Sequence, residues 1–169
     1  MQIRLATQHD LPALTSLIQR VVPLMLAAGN LQWDDTYPND AVFQRDIDLN
    51  QLWIAEVNRS IAAVAAITMD QEPDYRQVGC DIDEPAIVVH RLAVDPEFRG
   101  QGAAGALMQK AEEVAVERGI SVLRVDTNTN NEATQRLFPK LGYLLAGEIT
   151  LESRPGLRFF CYEKRLSLA

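Results

Sequence analysis

Cysteine is almost absent from this chain: Cys80 and Cys161 are the only two in 169 residues. They are too few and too far apart for a disulfide framework or a metal site, which fits a reducing compartment. Cys161 lies in the apolar stretch LRFFCY, where a free cysteine reads as a small core residue, and Cys80 lies in a polar loop, so neither is offered as a nucleophile. Long apolar runs are missing too. None approaches the ~18–20 residues needed to span a bilayer, and MQIRLATQHD lacks the charged start and apolar centre of a secretion signal. A cytoplasmic protein with no membrane partner is expected. Basic residues are outnumbered, 16 Lys and Arg against 23 Asp and Glu, for a net charge of −7. That leaves no broad surface for nucleic-acid phosphates. The acidity would draw a cationic amine, or simply keep the chain in solution.

What is present fits one ordinary globular domain over residues 1–169, with 47% hydrophobic and 23% charged residues. No repeat or low-complexity stretch divides it. The most informative segment runs from Ile87 to Lys110, IVVHRLAVDPEFRGQGAAGALMQK. Ile87, Val88 and Val89, with Leu92 and Val94, form a strand that Pro96 must end. From Gly102 the apolar period changes to that of one helix face, through Ala104, Leu107, Met108, Ala111, Val114 and Ala115. Between strand and helix, Arg99-Gly100-Gln101-Gly102-Ala103-Ala104-Gly105 carries side chains small enough for an anion to reach the backbone at a helix N-terminus.

Three phosphate motifs compete for this loop. The P-loop pattern fails because Gly100 and Gly105 are followed by Ala106 and Leu107, with no lysine or hydroxyl. The dinucleotide pattern Gly-x-Gly-x-x-Gly is met by Gly100, Gly102 and Gly105, and Asp126 stands about where a ribose-binding acid belongs. Against it, Asp95 to Arg99 separate the strand from the first glycine. The third pattern, Gln/Arg-x-x-Gly-x-Gly/Ala, is met by Arg99, Gly102 and Ala104.

With HRLAVDPEFRG before it, this stretch resembles the acyl-CoA loop of the GNAT superfamily of N-acetyltransferases. A second stretch, NNEATQRLFPKLGY, resembles that family at Asn131, Leu137, Lys140, Gly142 and Tyr143, with departures at Thr134 and at Phe138, where many members carry tyrosine. The resemblance implies an α/β (α+β) fold: a mixed, mostly antiparallel sheet of six to seven strands, a parallel pair at the CoA cleft, and about four flanking helices. It implies acetyl-CoA as acyl donor, no metal, and CoA contacts from Leu92, Ala93 and Val94 on a bulged strand, from Arg99 to Gly105, and from Asn131 and Phe138.

The rest of the chain reads consistently. Residues 2–6 form a strand, Thr7 and Asp10 have capping-box spacing, and an apolar helical face runs from Leu14 to Ala28 before Gly29 and Asn30. A shorter helix lies near 39–49. Strands at about 51–57 and 60–69 flank Asn58-Arg59 as a hairpin. A polar loop over 71–85 follows. After the long helix a strand at 121–127 returns by a crossover, parallel to its predecessor, and strands near 143–151 and 157–166 finish the sheet.

Acyl transfer from a thioester to an amine needs a neutral nucleophile, a polarised carbonyl and a route for the thiolate's proton. Some family members carry a catalytic glutamate on the central strand, at the position of Val88 here. His90 lies two residues on, on the same strand face, and is either the base or a structural histidine. Asp83 and Glu84, before that strand, could act through a water chain or simply be solvated. Phe138 lacks the usual acid, so Tyr143 is either its substitute or a core residue. Trp33, Asp34 and Tyr37 form either a wall for an ammonium substrate or a staple over the core. The expected activity is acetyl-CoA-dependent N-acetylation of a primary amine, on a small molecule or a peptide N-terminus, by direct attack in a ternary complex. An acyl-CoA-binding sensor without turnover is the alternative, and a homodimer is left open.

Overall fold

The computed structural model describes residues 1–168. Seven strands form one sheet: β1 (Gln2–Leu5), β2 (Leu52–Val57), β3 (Ser60–Thr68), β4 (Ile87–Val94), β5 (Val122–Asn128), β6 (Leu144–Leu151) and β7 (Arg154–Arg165). Their order across the sheet is β1-β2-β3-β4-β5-β7-β6. Every neighbouring pair is antiparallel except β4 and β5, joined through the long helix α3 (Ala103–Glu117). A strand that returns through a helix on one face must run parallel to the first. The β2–β3 hairpin closes as the sequence predicts, with positive φ at both Asn58 and Arg59.

Two layers of helix cover the sheet. On one face α3 packs Leu107, Met108, Ala111 and Ala115 onto Ile87, Val89, Leu123 and Val125. On the other, α1 (Leu11–Ala27) and α2 (Asp40–Asp48) cover Leu52, Ile54, Val64 and Ala66. Because β3 is covered on both faces, its run SIAAVAAIT is apolar throughout rather than alternating. The fourth helix, α4 (Glu132–Lys140), is capped by the Asn131 side chain, which accepts from Thr134 N at 3.3 Å. No helix among the described residues is long and apolar enough to cross a membrane.

The segment over 71–85 is not the simple polar loop its composition suggests. Pro73–Val78 forms a 3-10 helix that buries Tyr75 completely against Ala86, Val88, Val122 and Phe159. Cys80 is buried there with Cys161. The tether is Arg124 of β5, 1% exposed, which donates to Glu163 at 2.9 Å, to the Asp81 carbonyl at 2.9 Å and to Gln71. A buried guanidinium needs several acceptors, and this segment supplies two of them.

Candidate functional site

The cleft begins where the β4 ladder is broken. Val64 pairs with Ala93 and Ala66 with His90, so two steps along β3 oppose three along β4, and Arg91 and Leu92 bulge with Arg91 at φ 54°. The extra residue leaves backbone groups unclaimed by β3. On the other side β4 pairs with β5 only at Ile87↔Leu123 and Val88↔Arg124. Beyond those pairs the strands diverge, and the opening between them is a cleft of about 1250 Å³.

The glycine-rich loop forms one end of this cleft. Gly100 and Gly102 adopt φ of 76° and 83° with open space where a Cβ would stand. The first bond of α3 runs from Ala106 N to Gly102 O at 3.0 Å, so the N–H groups of Ala103, Ala104 and Gly105 have no partner within the helix. Asp95 braces the loop: its side chain accepts from Glu97 N at 2.9 Å and pairs with Arg20 of α1. Arg99 of the loop lines the cleft, as do Arg136 and Lys140 of α4, with Arg136 paired to Glu132 at 3.7 Å.

The other end is acidic at its base. His90, Glu72 and Asp126 all line it. Asp126 accepts from the buried Tyr75 hydroxyl at 2.6 Å, and burial pushes its carboxyl up to about 6 despite that bond. Burial also raises Glu72. His90 Nε2 lies 2.8 Å from the Asp70 carbonyl oxygen, which can only accept, so Nε2 carries the proton and Nδ1 the lone pair of the neutral ring. Burial lowers the His90 pKa, which keeps the ring neutral near pH 7.

Of the residues predicted from sequence, the cleft brings together Leu92, Ala93, Val94, Arg99, Gly100, Gly102, Ala103, Ala104, Gly105, Asn131, Phe138, His90, Trp33 and Tyr37. It leaves out Gln101, Asp34 and Tyr143. Tyr143 is the one to correct as an acid. Its ring packs in the α3-side core, 5.9 Å from Phe138, and its hydroxyl is buried without a hydrogen-bond partner, away from the cleft. Asp34 instead holds its own turn, accepting from Thr36 N at 2.8 Å and Tyr37 N at 3.1 Å. Trp33 is 5% exposed and belongs largely to the α1–α2 core.

Sequence reasoning missed Glu72 and Tyr75, and read Asp126 only as a ribose ligand. The available signal for Asp126 was strand parity. Val88 pairs with Arg124, so residues 90 and 126 stand two residues beyond on the same face, where pairing has stopped. Arg91 was also passed over. Its Nε and Nη2 donate to the buried Asp46 at 2.7 and 2.8 Å and its Nη1 to the Tyr37 hydroxyl at 3.1 Å, tying the bulge to α2 and to the acceptor-side loop.

Comparison with known proteins agrees with this geometry. The sequence pattern of the acetyltransferase (GNAT) family matches residues 18–143. The uncharacterized N-acetyltransferase YesJ of Bacillus subtilis (strain 168) is 25% identical over 145 residues, covering 84% of this chain and 81% of that protein. A GNAT-family acetyltransferase from Streptococcus agalactiae 2603 superposes with a TM-score of 0.79 at 27% identity, covering 98% of this chain and 95% of that one. The PaiA N-acetyltransferase of Thermoplasma acidophilum, solved in complex with coenzyme A, shares the fold with a TM-score of 0.71 at 15% identity, covering 97% and 98% of the two chains.

Proposed function

The chain belongs to the acetyltransferase (GNAT) family and is an N-acetyltransferase; from that premise we propose that it moves an acetyl group from acetyl-CoA to the primary amine of a small molecule or a peptide, by direct attack in a ternary complex. The observation that carries this reading is the continuity of one cleft. It joins unpartnered helix N–H groups, an interrupted strand ladder and a set of titratable side chains.

The residues present fit the donor. A loop open at Gly100 and Gly102 lets diphosphate reach the N–H groups of Ala103, Ala104 and Gly105, with Arg99, Arg136 and Lys140 lining the same cleft. Acetyl-CoA supplies an activated thioester carbonyl. The bulge at Arg91 and Leu92 offers backbone N–H groups to polarise it, and Phe138 gives an apolar wall. Asp126 takes the proton that the acceptor ammonium must lose. A carboxylate titrating near 6 is ionised at pH 7 and is a stronger base than an ordinary one. His90, neutral with a lone pair at Nδ1, is the second group that could take it. Phe138 has no proton to give and Tyr143 is not among the residues lining the cleft, so neither supplies the proton of the leaving sulfur.

The test is thiol release from acetyl-CoA across a panel of primary amines, with CoA binding followed by calorimetry. Turnover on at least one amine is expected. Tight CoA binding without release on any acceptor would return the chain to the sensor reading, and NAD binding in place of CoA would reverse the loop assignment.

A further inference from the structure

Tyr37 was one of the two rings, with Trp33, that the sequence offered to a cationic acceptor, and the protein's own cation already covers it. The Arg154 guanidinium, at the start of β7, sits 4.9 Å from the Tyr37 ring centroid. Arg154 and its neighbour Ser153 both line the acceptor end of the cleft. The cleft that holds Asp126 and Glu72 thus also carries a positive group over the Tyr37 ring, not an empty aromatic face.

Arg154 is also unlike the other acceptor-side guanidinium. Arg91 spends its donors on Asp46 and Tyr37. Arg154 makes one loose ion pair, Nη1 to Asp34 Oδ2 at 3.8 Å, beyond hydrogen-bond reach, and among the described residues it donates no hydrogen bond. Its side chain is 25% exposed. Asp34 keeps its other oxygen for the turn at Thr36 and Tyr37. A guanidinium held over an aromatic ring, with its N–H groups making no hydrogen bond among the described residues, keeps the planar fork that pairs with a carboxylate.

Resting on the acetyl-transfer reading above, we infer that the acceptor is an amino acid in the chemical sense. It carries a primary amine, which meets the acidic pair Asp126 and Glu72, and a carboxylate, which meets Arg154. This narrows the expected primary amine, on a small molecule or a peptide, to one that also carries a carboxylate.

The experiment compares kcat/KM for α- to ε-amino acids, their carboxamides, diamines of equal length and aminoalkyl phosphates, in the wild type and in Arg154→Gln and Arg154→Lys. The expected result is a preference for at least one amino acid over its carboxamide by roughly 10–100-fold, the range of a charge-assisted bond. In Arg154→Gln that preference should collapse through KM, with Arg154→Lys recovering part of it. Simple carboxylates without an amine should compete with the acceptor in the wild type and not in Arg154→Gln. If carboxamides or diamines are acetylated as well as amino acids, and Arg154→Gln leaves the ratio unmoved, the zwitterion is wrong while acetyl transfer stands. Preference for phosphates would overturn the carboxylate, and no thiol release with any amine would overturn both readings.

Discussion

Burial raises the Asp126 carboxyl to about 6 from an ordinary 3.8, so the folded protein holds that proton more tightly than the unfolded chain. Below about pH 4 both states are protonated and the site costs nothing. Between about pH 4 and pH 6 the unfolded chain has released this proton while the folded state still holds it, so stability falls by about 1–3 kcal/mol across that window and levels off once the partly buried carboxyl is ionised. Asp126→Asn should therefore raise the melting temperature at pH 8 and leave it unchanged at pH 4. The same variant should lower kcat/KM by roughly 10²–10⁴-fold and remove the acidic limb near pH 6. His90→Gln, carrying an amide near the Asp70 carbonyl, should keep that limb; if it is His90→Gln that erases it, the base is His90. Tyr143 gives the opposite kind of test. Its hydroxyl is buried with no partner, and Tyr143→Phe should stabilise by about 1 kcal/mol with the pH–rate profile intact.

The strand β4, the glycine loop and α3 act as one element, since the bulge and the helix N-terminus both face the cleft from it. A side chain at Gly102 would meet no atom of the protein within 4 Å but would fill the space before the free N–H groups, at a φ of 83° that L-residues resist. Gly102→Leu should weaken CoA binding more than tenfold by calorimetry, with a stability loss of about 1–2 kcal/mol from the left-handed backbone. A variant binding CoA as tightly as the wild type would sink the loop assignment. The segment over 71–85 is the second element that matters, because it carries Glu72 and Tyr75 to Asp126. Arg124 holds it, and Arg124→Ala should cost about 1–3 kcal/mol in denaturant unfolding by removing the shared donor of Glu163, Gln71 and the Asp81 carbonyl, with Glu163 keeping its bond to Arg165 at 3.0 Å.

Across the whole molecule the sheet is a wedge, closed from β1 to β4 and from β5 to β6, and open between β4 and β5 beyond two residue pairs. CoA at about 100 times its dissociation constant should stabilise the fold by about 2.7 kcal/mol, a rise in melting temperature of roughly 5–10 °C for a chain of this size. Hydrogen exchange should show the protection at residues 91–93 and 103–105. Equal protection by NAD would contradict the proposed donor.

What the sequence determined by itself was local. The switch from strand to helix period across residues 87–115, the positive-φ turn at Asn58-Arg59 and the Asn131 cap are encoded within a few neighbouring residues. So were the small residues of the loop, whose meaning does not depend on partners far away. Tertiary structure alone decided the chemistry at the acceptor end. Tyr75 reaches Asp126 across 51 residues of chain, and Arg154 covers Tyr37 from the start of β7. A carboxyl's pKa is set by desolvation and an aromatic ring's availability by its neighbour, and both are properties of packing that periodicity and composition do not carry.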